Sequence, residues 1–257
     1  MTRIFITGSA DGLGLMAGQL LANDGHQIVL HARNEQRADD ARFSLPSAEA
    51  VVVGDVTTVA GARAVAEEAN RLGTFDAVIH NVAIGYREPE RIETLDGLPH
   101  VFAVNVMAPY VLTALMHRPR RLIYLSSKLH HQVDADFDDL LWEHRRWDGT
   151  IAYSETKLYD TMLACFMARH WPNTCSTALE PGWVPTKMGG PHATDDLHQG
   201  HLTQAWLATS NTPEAMRSGA YYHHMRPMQA NPQVHDETLQ STLIKRLETL
   251  TGIVIPV

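Results

Sequence analysis

The chain has 257 residues, of which 44% are hydrophobic and 19% are charged, a size and composition that suit one large α/β domain. The formal net charge of -8 and the lack of a Lys/Arg cluster argue against a nucleic-acid partner, and two cysteines are too few for a disulfide framework. The opening MTRIFITG leaves no room for a signal peptide, and no apolar run approaches the ~18 residues of a membrane span, so we expect a cytoplasmic protein without a membrane partner.

Apolar runs that predict strands alternate along the chain with segments that predict helices. The predicted strands are RIFIT, QIVLHA, AEAVVVGDV, FDAVIHNVA, RLIYLSS and CSTALEPGW, and the predicted helices cover about residues 13–24, 35–43, 59–72, 97–117, the segment around 153–157, and 236–253. Because the strands are almost wholly apolar, this α/β pattern predicts a single domain over 1–257, a doubly wound parallel sheet of about seven strands with helices on both faces. Residues 188–232 are less regular and rich in Gly, Pro and His, and they either cover the substrate crevice or form an ordinary surface loop.

A glycine-rich turn, TGSADGLG, comes after the first predicted strand. In open parallel sheets the ligand crevice lies beyond the carboxyl ends of the strands, and glycines there let the backbone approach a pyrophosphate at the start of the next helix. The spacing departs from the general G-x-G-x-x-G fingerprint, so a purely structural turn is the alternative. The residues of this turn predicted to contact a dinucleotide are Gly8, Ser9, Asp11, Gly12, Leu13 and Gly14.

The residues after the second strand bear on which nicotinamide cofactor is used. NAD-binding sheets usually carry Asp or Glu there, whereas this chain has Ala32 and then Arg33 and Asn34. A guanidinium pairs with the 2'-phosphate of NADP, and a carboxylate would repel it. We therefore expect NADP(H) to be preferred, with NAD(H) as the second choice and a plain surface arginine as the competing interpretation.

Further polar residues lie after the later strands. Asp55 can accept a hydrogen bond from an adenine amino group, and Asn81 can brace the sheet edge beside a cofactor. After the sixth strand, EPGWVPTKMGG predicts a loop whose amides and Thr186 hydroxyl can hold a carboxamide and a phosphate. The cofactor contacts predicted in these segments are Asp55, Val56, Asn81, Val82, Ala83, Pro181, Gly182, Val184 and Thr186.

The stretch TIAYSETKLYD places Tyr153 one helical turn before Lys157. A cation beside a phenol favours the phenolate and lowers its pKa from about 10, so the pair can give a proton to a substrate oxygen or take one back. The same spacing also occurs on solvated helix faces, which is the bland alternative. After the fifth strand, Ser126 and Ser127 either cap the next segment of the chain or supply the serine that polarises a carbonyl.

Taken in order, these motifs resemble those of the short-chain dehydrogenase/reductase family over essentially the whole chain. TGSADGLG matches the family's TGxxxGxG turn, VNV at 104–106 its helix asparagine, YSETK its YxxxK pair and EPGWVPT its PG loop. Finer stretches such as HARNEQR and LIYLSSKLHH resemble the retinol-dehydrogenase-like and protochlorophyllide-reductase-like branch. The resemblance implies a Rossmann domain and a catalytic tetrad of Asn105, Ser127, Tyr153 and Lys157, the last two also touching the cofactor.

The chain departs from the family pattern in two places. It reads HNVAI where the family usually has NNAG, so that His80, Val82 and Ile84 replace the expected residues. The interval between Ser127 and Tyr153 is long and carries the acidic stretch DADFDDLLWE, which is either a flap near the substrate or a solvated insertion.

The resemblance implies hydride transfer between a nicotinamide, NADP(H) before NAD(H), and a carbonyl or alcohol of a small molecule. Apolar and aromatic residues such as Trp183, Met188 and Trp206 favour an apolar substrate, unless they serve the core or a subunit interface. It gives Tyr153 the role of general acid/base, Ser127 that of holding the substrate oxygen, and Lys157 that of lowering the tyrosine pKa and bonding the ribose. Asn105 would serve a water-mediated proton relay. Reduction of a carbon–carbon double bond stays open. The oligomeric state is open as well, because the resemblance implies a homodimer or homotetramer but monomers occur in the same family.

Two other classes of function compete with this one. A catalytically silent dinucleotide-binding sensor or scaffold would use the same fold without turnover. The 15 histidines raise the question of a metal-dependent hydrolase, but they lack H-x-x-x-H spacing beside a carboxylate, and we expect no metal.

Overall fold

The sheet consists of seven parallel strands and an antiparallel strand at one edge, as seen in a computed structural model that describes residues 1–256. The strands are β1 (Arg3–Ile6), β2 (Gln27–Ala32), β3 (Ala50–Val53), β4 (Ala77–His80), β5 (Arg121–Leu125), β6 (Cys175–Glu180), β7 (Tyr221–His223) and β8 (Arg226–Met228). Their order is β3-β2-β1-β4-β5-β6-β7-β8, so the strand order reverses at β1 and opens a crevice between β1 and β4. The predicted doubly wound parallel sheet is confirmed.

Helices cover both faces of the sheet. They are α1 (Gly12–Asn23), α2 (Glu35–Ser44), α3 (Val59–Arg71), α4 (His100–Phe102), α5 (Ala108–Leu115), α6 (Gly149–His170), α7 (Leu197–Thr209) and α8 (Glu237–Thr251). Because side chains alternate along a strand, Ile4 and Ile6 pack in the layer of α1, α2 and α7, whereas Phe5 packs in the layer of α3, α5, α6 and α8. Across residues 1–256, no helix combines the length and the apolar character that crossing a membrane requires.

Two segments differ from the sequence-based prediction. The helix predicted over 97–117 is divided into α4, a π-helical turn at Ala103–Met107, and α5. The irregular segment 188–232 contains α7, β7 and β8, so it is not a surface loop throughout. Helix α7 was missed because it buries small and polar residues, such as Gly200, Thr203 and Gln204, among its few apolar ones, which hides the helical period of hydrophobicity.

Helix α6 carries the tyrosine–lysine pair and lies inside the protein. Every residue from Ala152 to Met167 is buried, because the helix packs between the sheet, α8 and the segment that precedes it. Tyr153 is only 6% exposed and Lys157 only 2%. The pair therefore does not lie on a solvated helix face.

Candidate active site

The glycine-rich turn after β1 needs glycine where it approaches β4. Gly8 has a φ of +60°, and a Cβ there would lie 2.7 Å from the Cα of Val82. A Cβ on Gly14 would lie 2.5 Å from the side-chain nitrogen of Asn81. No side chain fits in either gap, so these two glycines allow the ends of β1 and β4 to meet at the crevice.

Asn81 fastens the two strand ends together. Its side-chain Nδ2 donates to the carbonyl oxygens of Thr7 and Gly8, both at 3.0 Å. The Thr7 hydroxyl in turn accepts from the backbone N–H groups of Asn81 and Val82 at 3.0 and 3.1 Å. These bonds join the ends of β1 and β4, and Ala83 continues the same loop.

His31, in β2, supports the glycine-rich turn through its ring, a role that the sequence did not indicate. Its Nδ1 accepts from the backbone N–H of Gly8 at 3.0 Å, and its Nε2 lies 2.9 Å from the carbonyl oxygen of Gly54. This arrangement requires the neutral ring with its proton on Nε2, and burial lowers the His31 pKa. Ser9 lies under the turn as well, because its hydroxyl donates to the Ile6 carbonyl and accepts from the His31 N–H.

The outer side of the crevice carries charged residues at the ends of β2 and β3. Arg33 and Asp55 are exposed there, while the Asn34 side chain caps α2 by accepting from the Arg37 N–H at 3.0 Å. Asp11 in the glycine-rich turn pairs with Arg37 at 2.6 Å and with Lys187, beyond β6, at 2.6 Å. The predicted cofactor residues Gly12 and Leu13 are accessible at this rim, whereas Val56 is part of the core.

The tyrosine and lysine of α6 point to the carboxyl end of β5. Lys157 Nζ donates to the carbonyl oxygen of Leu125 at 2.8 Å and lies 5.7 Å from the centre of the Tyr153 ring. Burial raises the pKa of the Tyr153 phenol, although Lys157 and the Ser127 hydroxyl oppose that rise. Lys157 therefore acts in the expected direction on the Tyr153 pKa, and burial has the larger effect.

The two serines after β5 have different partners. The Ser126 hydroxyl is buried and bonds to the Lys157 carbonyl at 3.0 Å and to the Thr161 hydroxyl at 2.8 Å. Ser127 is partly exposed, accepts from the Leu129 N–H at 3.3 Å and lies near enough to the Tyr153 phenol to lower its pKa. Ser127 is thus the serine that shares the crevice with the tyrosine.

Asn105 lies in the π-helical turn and clamps two segments together. Its Oδ1 accepts from the backbone N–H of Ile84 at 2.7 Å, and its Nδ2 donates to the Ile84 carbonyl and to the Thr156 hydroxyl, both at 3.0 Å. A π turn adds a residue to the helical ladder and is common at functional sites. Here it brings Asn105 between the loop after β4 and α6.

The loop after β6 folds back over the crevice. Gly182 has a φ of +85°, and the N–H of Trp183 donates to Asp195 at 2.6 Å. The Thr186 hydroxyl accepts from the Gly189 N–H at 3.1 Å. Pro181 and Gly182 are partly exposed at the start of this loop, whereas Val184 is buried against Gly200 of α7.

The same loop reaches the loop after β4. A Cβ on Gly85 would lie 2.7 Å from Cγ of Met188, and Arg87 donates to the Gly189 carbonyl at 3.1 Å. These contacts bring residues 188–190 against the segment that leads from β4 to Asn105. The two loops form one wall of the crevice.

The long interval between Ser127 and Tyr153 is fixed to α6. Arg145 forms a two-pronged ion pair with the buried Glu155, at 2.7 and 3.1 Å, and Trp142 Nε1 donates to the same carboxylate at 3.0 Å. Asp139 accepts from three successive backbone N–H groups, those of residues 143–145. Because Trp142 also belongs to the same apolar cluster as Tyr153, this interval packs beside the site and is not a solvated insertion.

Aromatic side chains border the phenol. The Tyr86 ring meets the Tyr153 ring edge-on with centres 5.8 Å apart, and Trp142 meets Trp147 in the same way at 5.4 Å. Leu129 packs against this cluster. The space in front of Tyr153 is therefore bounded mostly by apolar and aromatic surface.

A family model described as short chain dehydrogenase matches residues 2–121 of the chain. An uncharacterized oxidoreductase of Emericella nidulans is 41% identical over 260 residues, covering 100% of this chain and 99% of that protein. The short-chain dehydrogenase chyC of Penicillium rubens is 39% identical, with 100% of both chains covered. Retinol dehydrogenase 14 of Homo sapiens is 26% identical over 97% of this chain and 86% of that protein.

Solved structures show the same fold at lower sequence identity. A putative uncharacterized protein from Mycobacterium paratuberculosis superposes with a TM-score of 0.86 at 21% identity, covering 100% of this chain and 96% of that one. A blue fluorescent protein from a metagenomic library, solved in complex with NADPH, gives a TM-score of 0.69 at 20% identity over 86% and 94% of the two chains.

Proposed function

Because the chain belongs to the short-chain dehydrogenase/reductase family, we propose that it is an NADP(H)-dependent oxidoreductase acting on a carbonyl or alcohol group of a small molecule. The observation that carries the proposal is the meeting of the Ser127 hydroxyl, the Tyr153 phenol and the Lys157 ammonium beside the end of β5. A bound nicotinamide would exchange a hydride with the substrate carbon, and the residues of the chain would move the proton.

The turn after β1 fits the pyrophosphate of a dinucleotide on its outer side. The inner side of the turn has no room for a Cβ on Gly8 or Gly14. On the outer side, a Cβ on the exposed Gly12 would meet nothing within 4 Å. In the described part of the chain, α1 has no side-chain cap at Asp11, and the N–H groups that the first turn of a helix leaves without an intrahelical partner favour an anion. His31, by holding the Gly8 N–H, would keep the turn in this open shape.

Tyr153 is the proposed general acid for carbonyl reduction. Since burial raises its pKa above the usual value near 10, the phenol keeps its proton at neutral pH and can donate it to a substrate oxygen. Ser127 would hold the same oxygen through a hydrogen bond. Oxidation of an alcohol requires the phenolate instead, so its rate should increase with pH.

The proposed substrate is apolar, and residues 188–232 would cover part of it. Support comes from the aromatic side chains of Tyr86 and Trp147 in front of the phenol and from the contact of Met188 with the loop after β4. A substrate with a flat or bulky apolar body would bury these surfaces, which contributes about 25 cal/mol per Å² of apolar area.

Arg33 is expected to select NADPH over NADH. It is exposed at the end of β2, where no acidic residue stands in the usual place, and a charge-assisted hydrogen bond contributes about 1.5–3 kcal/mol. Arg33→Ala should therefore weaken NADPH binding about 10- to 100-fold and leave NADH binding nearly unchanged. Fluorescence titration of the purified protein with each cofactor measures both affinities.

Arg42→Ala is the matched control for the titration, because it removes the same charge at the far end of α2, where Arg42 pairs with Asp39. We expect this variant to bind NADPH as the wild type does. Equal losses for NADPH and NADH in Arg33→Ala would contradict the assignment of Arg33 to the 2'-phosphate. A wild-type protein that binds neither cofactor would overturn the proposed function itself.

A further inference from the structure

A buried carboxylate holds the lysine of the site. Lys157 Nζ donates to Asp160 Oδ2 at 2.8 Å and to the Leu125 carbonyl at 2.8 Å. Asp160 lies three residues farther along α6, and the side chains of Lys157 and Asp160 are 2% and 4% exposed. The ion pair is therefore shielded from water almost completely.

Burying the Lys157–Asp160 ion pair in a helix interface costs free energy. Removing a carboxylate from water costs several kcal/mol, which pairing offsets only when its oxygens are satisfied. In the described part of the chain, the second carboxylate oxygen of Asp160 has no hydrogen-bond partner. An apolar or amide side chain could fill the same space at a lower free-energy cost. We therefore expect the charge of Asp160 to have a role at the neighbouring site.

We infer that Asp160 is a positioning residue that holds the Lys157 ammonium at the Leu125 carbonyl and so fixes its distance from the Tyr153 ring. Within residues 1–256, two donors of the ammonium are used in this way, which leaves the third for a bound ligand. The inference rests on the proposed function, because the position of Lys157 matters only if Tyr153 moves a proton.

The charge of Asp160 also acts on the phenol. It opposes the effect of Lys157 on Tyr153 and, together with burial, raises the pKa of the phenol. The other titratable groups that face this pair are phenols from separate elements, namely Tyr86 after β4, Tyr124 in β5 and Tyr221 in β7. Since these phenols are uncharged at neutral pH, the charges that act on the Tyr153 pKa come from Lys157 and Asp160.

The test is the pH dependence of kcat for alcohol oxidation in Asp160→Asn. This substitution keeps the shape and an oxygen acceptor for Lys157 but removes the negative charge. The rise of kcat with pH should shift to lower pH by about one unit, while NADPH affinity stays within about twofold. The shift should be visible at neutral and alkaline pH, where Asp160 is ionised in the wild type.

Thr161→Val is the matched control, because it removes a buried uncharged group that bonds to the Lys157 carbonyl at 2.8 Å, and we expect its pH profile to coincide with that of the wild type. Asp160→Gln also removes the charge while keeping an amide oxygen for Lys157, and it gives the same readout should Asp160→Asn fold poorly. Profiles that coincide in wild type and both Asp160 variants would overturn the inference. Failure of the proposed function looks different, because the wild type itself would then show no cofactor binding or no turnover.

Discussion

Replacement of Tyr153 by phenylalanine is expected to lower kcat by about 10²- to 10⁴-fold and to leave NADPH affinity nearly unchanged. The substitution deletes only the hydroxyl, and the ring keeps its place in the cluster with Val101, Trp142 and Ala152. The fold and the cofactor turn should therefore be intact, and the loss falls on the proton transfer. Steady-state kinetics with a carbonyl substrate and fluorescence titration with NADPH separate the two effects.

Tyr159→Phe provides the control on the same helix. Its hydroxyl is also buried, but it bonds to the backbone of Asp136 in the interval before α6, at 3.2 and 3.3 Å, and does not face the crevice residues. We expect a stability loss of about 1 kcal/mol and a kcat within about twofold of the wild type. Turnover of Tyr153→Phe that matches the Tyr159 variant would refute the assignment of Tyr153 as the acid.

The protein is expected to lose stability steeply as the pH falls from about 6.5 toward 4. Three histidines are buried in the neutral state, since burial lowers the pKa of His31, that of His80 to about 3 and that of His130 to about 4. In the unfolded chain each takes up a proton near pH 6.5. Unfolding therefore binds protons in this window, and His80 and His130, whose folded pKa values lie well below it, each remove about 1.4 kcal/mol of unfolding free energy per pH unit.

His80 and His130 together amount to about 3 kcal/mol per pH unit, a large part of the ~5–15 kcal/mol that stabilises a typical domain, and His31 adds to the loss in the same direction. The stability from these groups is fully present above about pH 6.5 and is lost as the pH falls, because the folded state resists protonation. His130 shows why: one ring nitrogen lies 2.6 Å from the Ser127 carbonyl, and the other accepts from the Asn231 N–H at 3.1 Å. A second ring proton would point directly at that N–H.

Thermal unfolding between pH 5 and 8 measures this loss. His80→Gln should flatten the slope by about one proton, whereas His117→Gln, at an exposed position, should leave the slope unchanged. A melting temperature that stays constant from pH 7 down to 5 would contradict the prediction. The prediction would also be contradicted if the stability of His80→Gln fell with pH as steeply as that of the wild type.

The strand ends were the part of the site that could be predicted from the sequence. Glycine-rich turns, Arg33 after β2 and the tyrosine–lysine spacing are local patterns, and the parallel sheet that they imply gathers them at one edge. The alternation of apolar strands with helices was strong enough to give the fold class, which is confirmed. The roles of individual site residues remain predictions that the proposed experiments address.

The remaining features depend on contacts between distant segments. His31 looks like one polar residue in an apolar strand until Gly8 and Gly54 are seen on its two nitrogens. Asp160 looks like an exposed helix residue until the burial of α6 is known. The π-helical turn at Ala103–Met107 has no composition of its own, and β7 and β8 are only three residues long each, too short to stand out from a loop.

The outer strand β8 disfavours edge-to-edge pairing of this sheet with the sheet of another copy. An open sheet edge is a template for a strand from another chain. Here the edge is three residues long, contains Pro227, which has no N–H to offer, and begins with the charged Arg226. Extension of the sheet from copy to copy is therefore disfavoured at this border, and a stable assembly of copies would have to be built through other surfaces, such as the outer faces of the helices.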